Sequence, residues 1–147
     1  MSVRGLVVAV AFSTMAVVVG AGCYKKSEPP KPATISGTVT VAPELAKDIT
    51  SKHVLFITAF AADAPTFGPP VASHRMENLT LPVQYTMSQK DVFFEGVTLE
   101  GKVNVYAKLD EDGKAGPPEA GDFVGEHKGN PVTVGDTGVD IVVDKVH

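Results

Sequence analysis

The clearest pattern in the chain is an alternation of apolar and polar residues in its last third. In Lys102–Leu109 every second residue is apolar, and these positions are Val103, Val105, Ala107 and Leu109. Gly138–Val146 alternates in the same way. Because successive side chains of a strand point to opposite faces, each segment predicts a β-strand with one face on a core. The stretch between them, Asp110–Gly129, is rich in Asp, Gly and Pro and predicts a loop.

Shorter apolar segments precede and separate these two. They are Ile35–Val41, His53–Ala61, Val71–Met76, Leu79–Met87, Asp91–Glu95 and Val132–Val134. His53–Ala61 is the most apolar and predicts a central strand covered on both faces, whereas Pro82 favours an edge position for Leu79–Met87. Pro43–Lys47 predicts one helical turn, and Asp63–Pro70 predicts a loop. About seven short strands with almost no helical periodicity predict an all-β fold, an antiparallel β-sandwich.

Residues 1–22 predict a signal peptide. Arg4 gives a basic start, Gly5–Val19 is an uncharged apolar run, and Gly20–Gly22 supplies the small residues that a signal peptidase requires. Cys23, the single cysteine, follows directly. An exported protein with one cysteine cannot form an internal disulfide, so this thiol needs another role. The arrangement resembles the lipobox of bacterial lipoproteins, which implies that Cys23 is the lipid attachment site.

Two alternatives to a lipid anchor remain open: an ordinary secretory signal cleaved nearby, and an uncleaved anchor helix over Gly5–Gly22. The leucine that usually stands three residues before the lipobox cysteine is Gly20 here. Residues 23–34 contain lysines and prolines without apolar periodicity and predict a flexible tether to a domain at 35–147. Because Tyr24 rather than aspartate follows the cysteine, we expect a cell-envelope protein, with the outer membrane favoured and the domain facing the periplasm.

The net charge and the sequence motifs argue against several classes of function. The formal net charge is −4 at pH 7, and a mildly acidic surface argues against binding nucleic acid through a basic face. The four histidines show no spaced ligand pair, no serine has a His/Asp partner by motif, and no glycine-rich loop precedes a helix. We therefore predict no catalytic residue, no enzyme activity and no cofactor.

A calcium site is one chemical alternative. In Asp110–Lys114, alternating acidic side chains precede a glycine, and carboxylate oxygens in such a run can converge on the ion. The candidate ligands are Asp110, Asp112 and Asp122. The EF-hand pattern fails because its third acidic position is a lysine, so a turn within a solvated acidic loop is the other interpretation.

A copper site is a second alternative. His74, Met76 and Met87 offer imidazole and thioether groups, which suit copper. The other interpretation is that both methionines fill the core or a sheet edge.

Taken in order, the segments resemble the immunoglobulin-like domain at the C-terminus of c-type cytochrome biogenesis TPR proteins. The matching stretches are Ile35–Ala46, Val54–Ile57, Leu79–Met87, Pro118–Gly125, Pro131–Gly135, Gly138–Val139 and Ile141–Val146. The resemblance implies an immunoglobulin-like sandwich, an extracytoplasmic setting and a link to cytochrome maturation. The membrane helices and TPR array that precede the domain in that family have no counterpart in this sequence.

The sequence thus predicts a non-enzymatic, lipid-anchored interaction domain that assists c-type cytochrome maturation or the assembly of another envelope protein. Its partners would be the membrane, through the anchor, and a protein of unknown identity. A calcium- or copper-binding sandwich module and a structural envelope lipoprotein remain the alternatives.

Overall fold

The computed structural model describes residues 32–64 and 68–147. This part of the chain contains eight strands and one short 3₁₀ helix. They are β1 Ile35–Val41, β2 Val54–Ala61, β3 Ala72–Met76, β4 Val83–Met87, the 3₁₀ helix Gln89–Asp91, β5 Lys102–Asp110, β6 Phe123–Glu126, β7 Val132–Thr133 and β8 Ile141–Val146. Across these ranges, no helix is long and apolar enough to cross a bilayer. The predicted signal peptide, Cys23 and the tether up to Lys31 lie outside the described residues.

The strands form one continuous path of backbone pairing. Its order is β3-β2-β5-β6-β8-β1-β4, with β7 paired to the start of β5. The pairs are antiparallel except for β1 and β8, which run parallel with Val39 opposite Ile141. The all-β prediction is confirmed. The described part holds one strand more than expected, and the parallel pair departs from a purely antiparallel sandwich.

Alternation along the strands builds the core as predicted. The inward side chains of β5 are at most 1% exposed, and they are Val103, Val105, Ala107 and Leu109. On β2, Leu55, Ile57 and Ala59 are fully buried on the same side. Burying apolar surface is the dominant stabilising contribution to such a fold, worth about 25 cal/mol per Å². The period-two pattern therefore placed the core residues correctly.

The predicted loop Asp110–Gly129 is wrong in part, because it contains β6. This strand has only four residues, too few for a recognisable alternation, and it lies between β5 and β8. Gly125 permits that position: a Cβ there would lie 2.2 Å from the backbone oxygen of Val142 on β8. A small residue therefore marks a close approach of two strands rather than a loop.

The segment Asp91–Glu95, predicted as a short strand piece, is also different. Its first residue ends the 3₁₀ helix, Val92 forms a single bridge with Ala72, and Phe93 and Phe94 are exposed. Aromatic residues favour strands only where a neighbouring strand pairs with them, and none does here among the described residues.

The segment Leu79–Met87 is a strand only from Val83 onward, after a cis Leu81–Pro82 peptide bond. The edge prediction for this segment is confirmed, because β4 is the last strand of the path. At Pro43–Lys47 the predicted single turn is present, with Ala46 donating its N–H to the oxygen of Ala42.

Candidate binding groove

A groove of about 570 Å³ lies on the face of the sheet that points away from the core. Its floor consists of outward side chains from neighbouring strands. They are Phe56, Thr58 and Phe60 on β2, Tyr106 and Lys108 on β5, Val124 and Glu126 on β6, and Lys145 on β8. β2 was expected to be covered on both faces, and its outer face is indeed buried at Val54 and Phe56. From Thr58 onward this face is only partly buried and lines the groove.

Aromatic rings dominate the groove floor. Phe60 and Tyr106 meet edge to face with ring centroids 5.8 Å apart, an arrangement that fixes both rings. The ring of Phe56 lies 5.3 Å from the Lys108 ammonium and 5.9 Å from the Arg75 guanidinium. The cations hold this ring through cation–π contacts. The outer face of an antiparallel sheet is usually polar, so an aromatic floor indicates that something other than water covers it.

The walls of the groove come from three loops. Ala115–Pro118 from the β5–β6 loop forms one side, Gly68 and Pro70 from the β2–β3 loop form another, and Phe93 contributes from beyond the 3₁₀ helix. Proline has no backbone N–H, so this rim presents few donors that would need water. The result is a mainly apolar groove of a size that suits an extended polypeptide segment.

A buried ion cluster closes one end of the groove. Lys108 Nζ donates to Asp110 Oδ2 at 2.7 Å and to the backbone oxygen of Lys114 at 2.9 Å, and it lies 3.6 Å from Asp122 Oδ2. These three charged side chains are each at most 9% exposed. Desolvation alone would raise the pKa of Asp110, but the hydrogen bonds from Lys108 and Asp112 outweigh it and lower this pKa to about 2.

The candidate calcium ligands are committed to protein donors. Asp110 Oδ1 accepts the backbone N–H groups of Asp112 and Gly113, at 2.8 and 3.0 Å. Asp122 Oδ2 accepts the N–H of Glu119 at 2.7 Å.

Asp112 joins this cluster only through its backbone N–H, because its carboxylate pairs with the exposed ammonium of Lys114 at 2.6 Å. Within 32–64 and 68–147, no group of three or more His, Cys, Asp or Glu side chains is placed to hold a metal. The structure therefore brings the carboxylates of Asp110 and Asp122 together on Lys108, and it leaves the carboxylate of Asp112 apart from them.

Sequence reasoning did not identify Lys108 as a site residue. It stands at a polar position of an alternating strand, where a lysine is ordinarily solvated. The available signal was the Lys-x-Asp spacing of Lys108 and Asp110, which puts both side chains on one face of β5. The second carboxylate, Asp122, reaches the same ammonium only through the pairing of β5 with β6.

The candidate copper ligands have other surroundings. His74 Nδ1 is hydrogen-bonded to Asp91 Oδ1 at 2.8 Å, and the other oxygen of this carboxylate accepts the N–H of Ser88 at 2.7 Å. Met87 is fully buried in the core, and Met76 packs against the core from β3. These positions match the interpretation of both methionines as core and edge residues.

The strand order, the buried alternating positions and the groove define an immunoglobulin-like β-domain. The chain belongs to the cytochrome c-type biogenesis protein H Ig-like domain family, whose model matches residues 35–144. This match confirms the resemblance inferred from the sequence.

Two further comparisons concern solved structures and curated proteins. Among solved structures, an alternative pilotin from the type II secretion system of Vibrio cholerae matches with 16% identity, 78% of this chain and 96% of that chain covered, and a TM-score of 0.48. The comparison with curated proteins gave no match.

Proposed function

We propose that this protein is a non-catalytic, lipid-anchored interaction domain of the cell envelope that binds an extended segment of a protein partner. The observation that carries the proposal is the aromatic groove on the outer face of β2 and β5. An apolar groove with an aromatic floor and a proline-rich rim marks a site of association, because leaving its apolar surface in water is unfavourable.

The shape of the groove favours a polypeptide as its ligand. Within its floor, Phe56, Thr58 and Phe60 stand at every second position along β2. An extended peptide repeats its side chains with a similar spacing, so alternate side chains can enter between the rings. Rings held by mutual contact, as Phe60 and Tyr106 are, make good anchors because little conformational entropy is lost on binding.

Family membership supports c-type cytochrome maturation as the setting. The match names the Ig-like domain of a cytochrome c-type biogenesis protein, and a domain of this kind can act by holding another protein rather than by catalysis. The charged side chains at the end of the groove bond to one another, which also favours a binding role.

The proposed anchor is acylation of Cys23, which follows Gly20–Gly22 after the apolar run. A lipid at this cysteine and the tether 23–34 would hold the domain on the periplasmic side of a membrane, the outer membrane being favoured. Assembly of another envelope protein would use the same groove and anchor, and the identity of the captured partner separates these two roles.

A pull-down with groove variants tests the proposal. The acylated full chain is recovered from membranes as wild type, Phe60→Ser and Thr58→Lys, and bound proteins are identified by mass spectrometry. Thr58→Lys blocks the floor without removing an aromatic contact, so it protects the test if Phe60→Ser loses stability. The matched control is Val142→Ser, at a position 37% exposed and outside the groove lining.

We expect c-type cytochromes or their assembly factors to bind the wild type and the control, and to be lost by at least about tenfold from both groove variants. Equal recovery of such a partner by all four proteins would overturn the groove as its site. Groove-dependent recovery of other envelope proteins would replace cytochrome maturation by another assembly role.

A further inference from the structure

Strand directions place the start of the domain and the 3₁₀ helix at the same end of the fold. Ile35, the first residue of β1, pairs with Met87, the last residue of β4. The 3₁₀ helix begins two residues later, at Gln89. The chain therefore enters the domain beside the segment that follows this helix, which we call the phenylalanine loop, Val92–Val97.

The phenylalanine loop exposes an unusual amount of apolar surface. Phe93 is 59% exposed, Phe94 51% and Val97 37%. Val142 and Val146 are the other large hydrophobic side chains exposed to this degree in the described ranges. Two adjacent exposed phenylalanines at a loop tip are costly in water unless another apolar surface covers them.

Hydrogen bonds from side chains of the 3₁₀ helix hold the phenylalanine loop in place. Gln89 Nε2 donates to the oxygen of Val97 at 2.7 Å, and Gln89 Oε1 accepts the N–H of Leu99 at 2.8 Å. Leu99 is fully buried, so the Gln89 side chain connects the end of the loop to a core residue. At the other end, Asp91 Oδ2 accepts the Ser88 N–H, which closes the capping box of the 3₁₀ helix. The two rings are consequently presented outward in a preorganised conformation.

We propose that Phe93 and Phe94 form a second contact with the lipid surface to which the protein is anchored. This inference rests on the lipid attachment at Cys23 in the proposed function. Residues 24–34 can span at most about 40 Å when extended, so the lipid surface stays within reach of the end of the domain that bears the loop. Aromatic side chains partition favourably into the interfacial region of a bilayer.

The chemistry of the loop favours a neutral lipid surface. Lys90 and Asp91 lie just before the loop and Glu95 lies within it, so this segment carries one basic and two acidic side chains and no basic cluster is present to select anionic headgroups. The contact would depend on apolar area alone. Because Phe93 also lines the groove, insertion of the loop would hold the mouth of the groove beside the membrane.

Tryptophan fluorescence tests the contact directly, because the chain contains no tryptophan of its own. The acylated full chain carries Phe94→Trp, and the matched control carries Val146→Trp. The two positions are 51% and 54% exposed. They lie at opposite ends of the fold, since β8 runs parallel to β1 and Val146 is its last residue. Each protein is bound to phosphatidylcholine vesicles with or without bromine atoms on the acyl chains.

We expect brominated lipid to quench the Phe94→Trp emission at least about twofold and to leave the Val146→Trp emission nearly unchanged. Equal quenching of the two proteins, or none, overturns the proposal. Failure of the anchor is recognised separately, because wild type would then float with vesicles no better than Cys23→Ser.

If Cys23 does not anchor the protein, the contact of the loop with lipid is still measured. The emission of the same two tryptophan variants is then followed at rising lipid concentration. An emission of Phe94→Trp that does not respond to lipid overturns the contact in that case as well. If Phe93→Ser/Phe94→Ser abolishes capture of a protein partner while Phe94→Trp remains unquenched, the loop binds protein and the lipid contact is wrong.

Discussion

The ammonium of Lys108 donates a hydrogen bond of 2.7 Å to the carboxylate of Asp110 at the end of the groove. Asp110 lies two residues further along the same strand. Neither side chain is more than 9% exposed. A buried ion pair contributes little net stability compared with apolar residues of the same volume, but the loss of one partner leaves an uncompensated charge. The stability of this end of the groove therefore depends on the charge of a single lysine.

Replacing Lys108 by methionine should destabilise the domain strongly. The change leaves Asp110 and Asp122 buried without their cation, and we expect a loss of about 3 kcal/mol in the free energy of unfolding. Urea denaturation followed by circular dichroism measures it. The matched control is Lys145→Met, whose exposed ammonium lies 3.9 Å from Glu126 and should contribute less than about 1 kcal/mol. Similar losses for the two variants would contradict the role of Lys108.

Stability should also fall as the solution is acidified. The pKa of Asp110 is lowered from its ordinary value of 3.8 to about 2 in the folded protein, so the folded state favours the ionised carboxylate. A depressed folded pKa gives stability that is complete above about pH 5 and is lost as the pH falls toward 2. We expect a decrease of about 2 kcal/mol from this residue over that window.

Denaturation midpoints measured between pH 6 and pH 2 would show this loss. The variant Asp110→Asn, which cannot titrate at this position, should have a flatter profile than wild type. A variant profile as steep as that of the wild type would assign the acid sensitivity to other carboxylates.

Gly125→Ala should destabilise the domain by at least about 2 kcal/mol, because the new methyl group would overlap the backbone of β8. The nearest atom, the oxygen of Val142, would lie 2.2 Å from it and cannot move without breaking the strand pairing. Gly129→Ala is the control, since its nearest obstacle is the ring of His127, a side chain that can turn at the cost of its hydrogen bond to the Asp140 oxygen. Thermal unfolding of both variants compares them, and equal melting temperatures would argue against the close strand approach.

Tyr85→Phe should cost about 1–2 kcal/mol of stability, because the buried hydroxyl donates to the oxygen of Val139 at 2.7 Å and its loss leaves that oxygen without this donor. Burial also raises the pKa of Tyr85 above its usual value, with a smaller contribution from Asp140. Tyr106→Phe, at a partly buried position of the groove floor, serves as the control and should change the free energy of unfolding by less than about 0.5 kcal/mol. Chemical denaturation of the two variants decides between a structural and a neutral role for the Tyr85 hydroxyl.

Much of the fold could be predicted because β-strand patterning is local. The alternation in Lys102–Leu109 and the apolar run beginning at His53 specify which side chains are buried without reference to the rest of the chain. The same reasoning failed at Phe93 and Phe94, whose residue type favours a strand although no strand in 32–64 or 68–147 pairs with them. It also missed β6, because four residues with a glycine among them carry too little pattern.

The sequence by itself determined the all-β class, the buried faces of the long strands and the family, since each depends on residue types at short, regular spacings. Only the tertiary structure decided how those strands meet. It brought Asp122 to Lys108 through the pairing of β5 with β6, and it left part of the outer face of β2 open as an aromatic groove. These relationships depend on contacts between residues far apart in the chain, whose energies are set by packing and burial rather than by local preference.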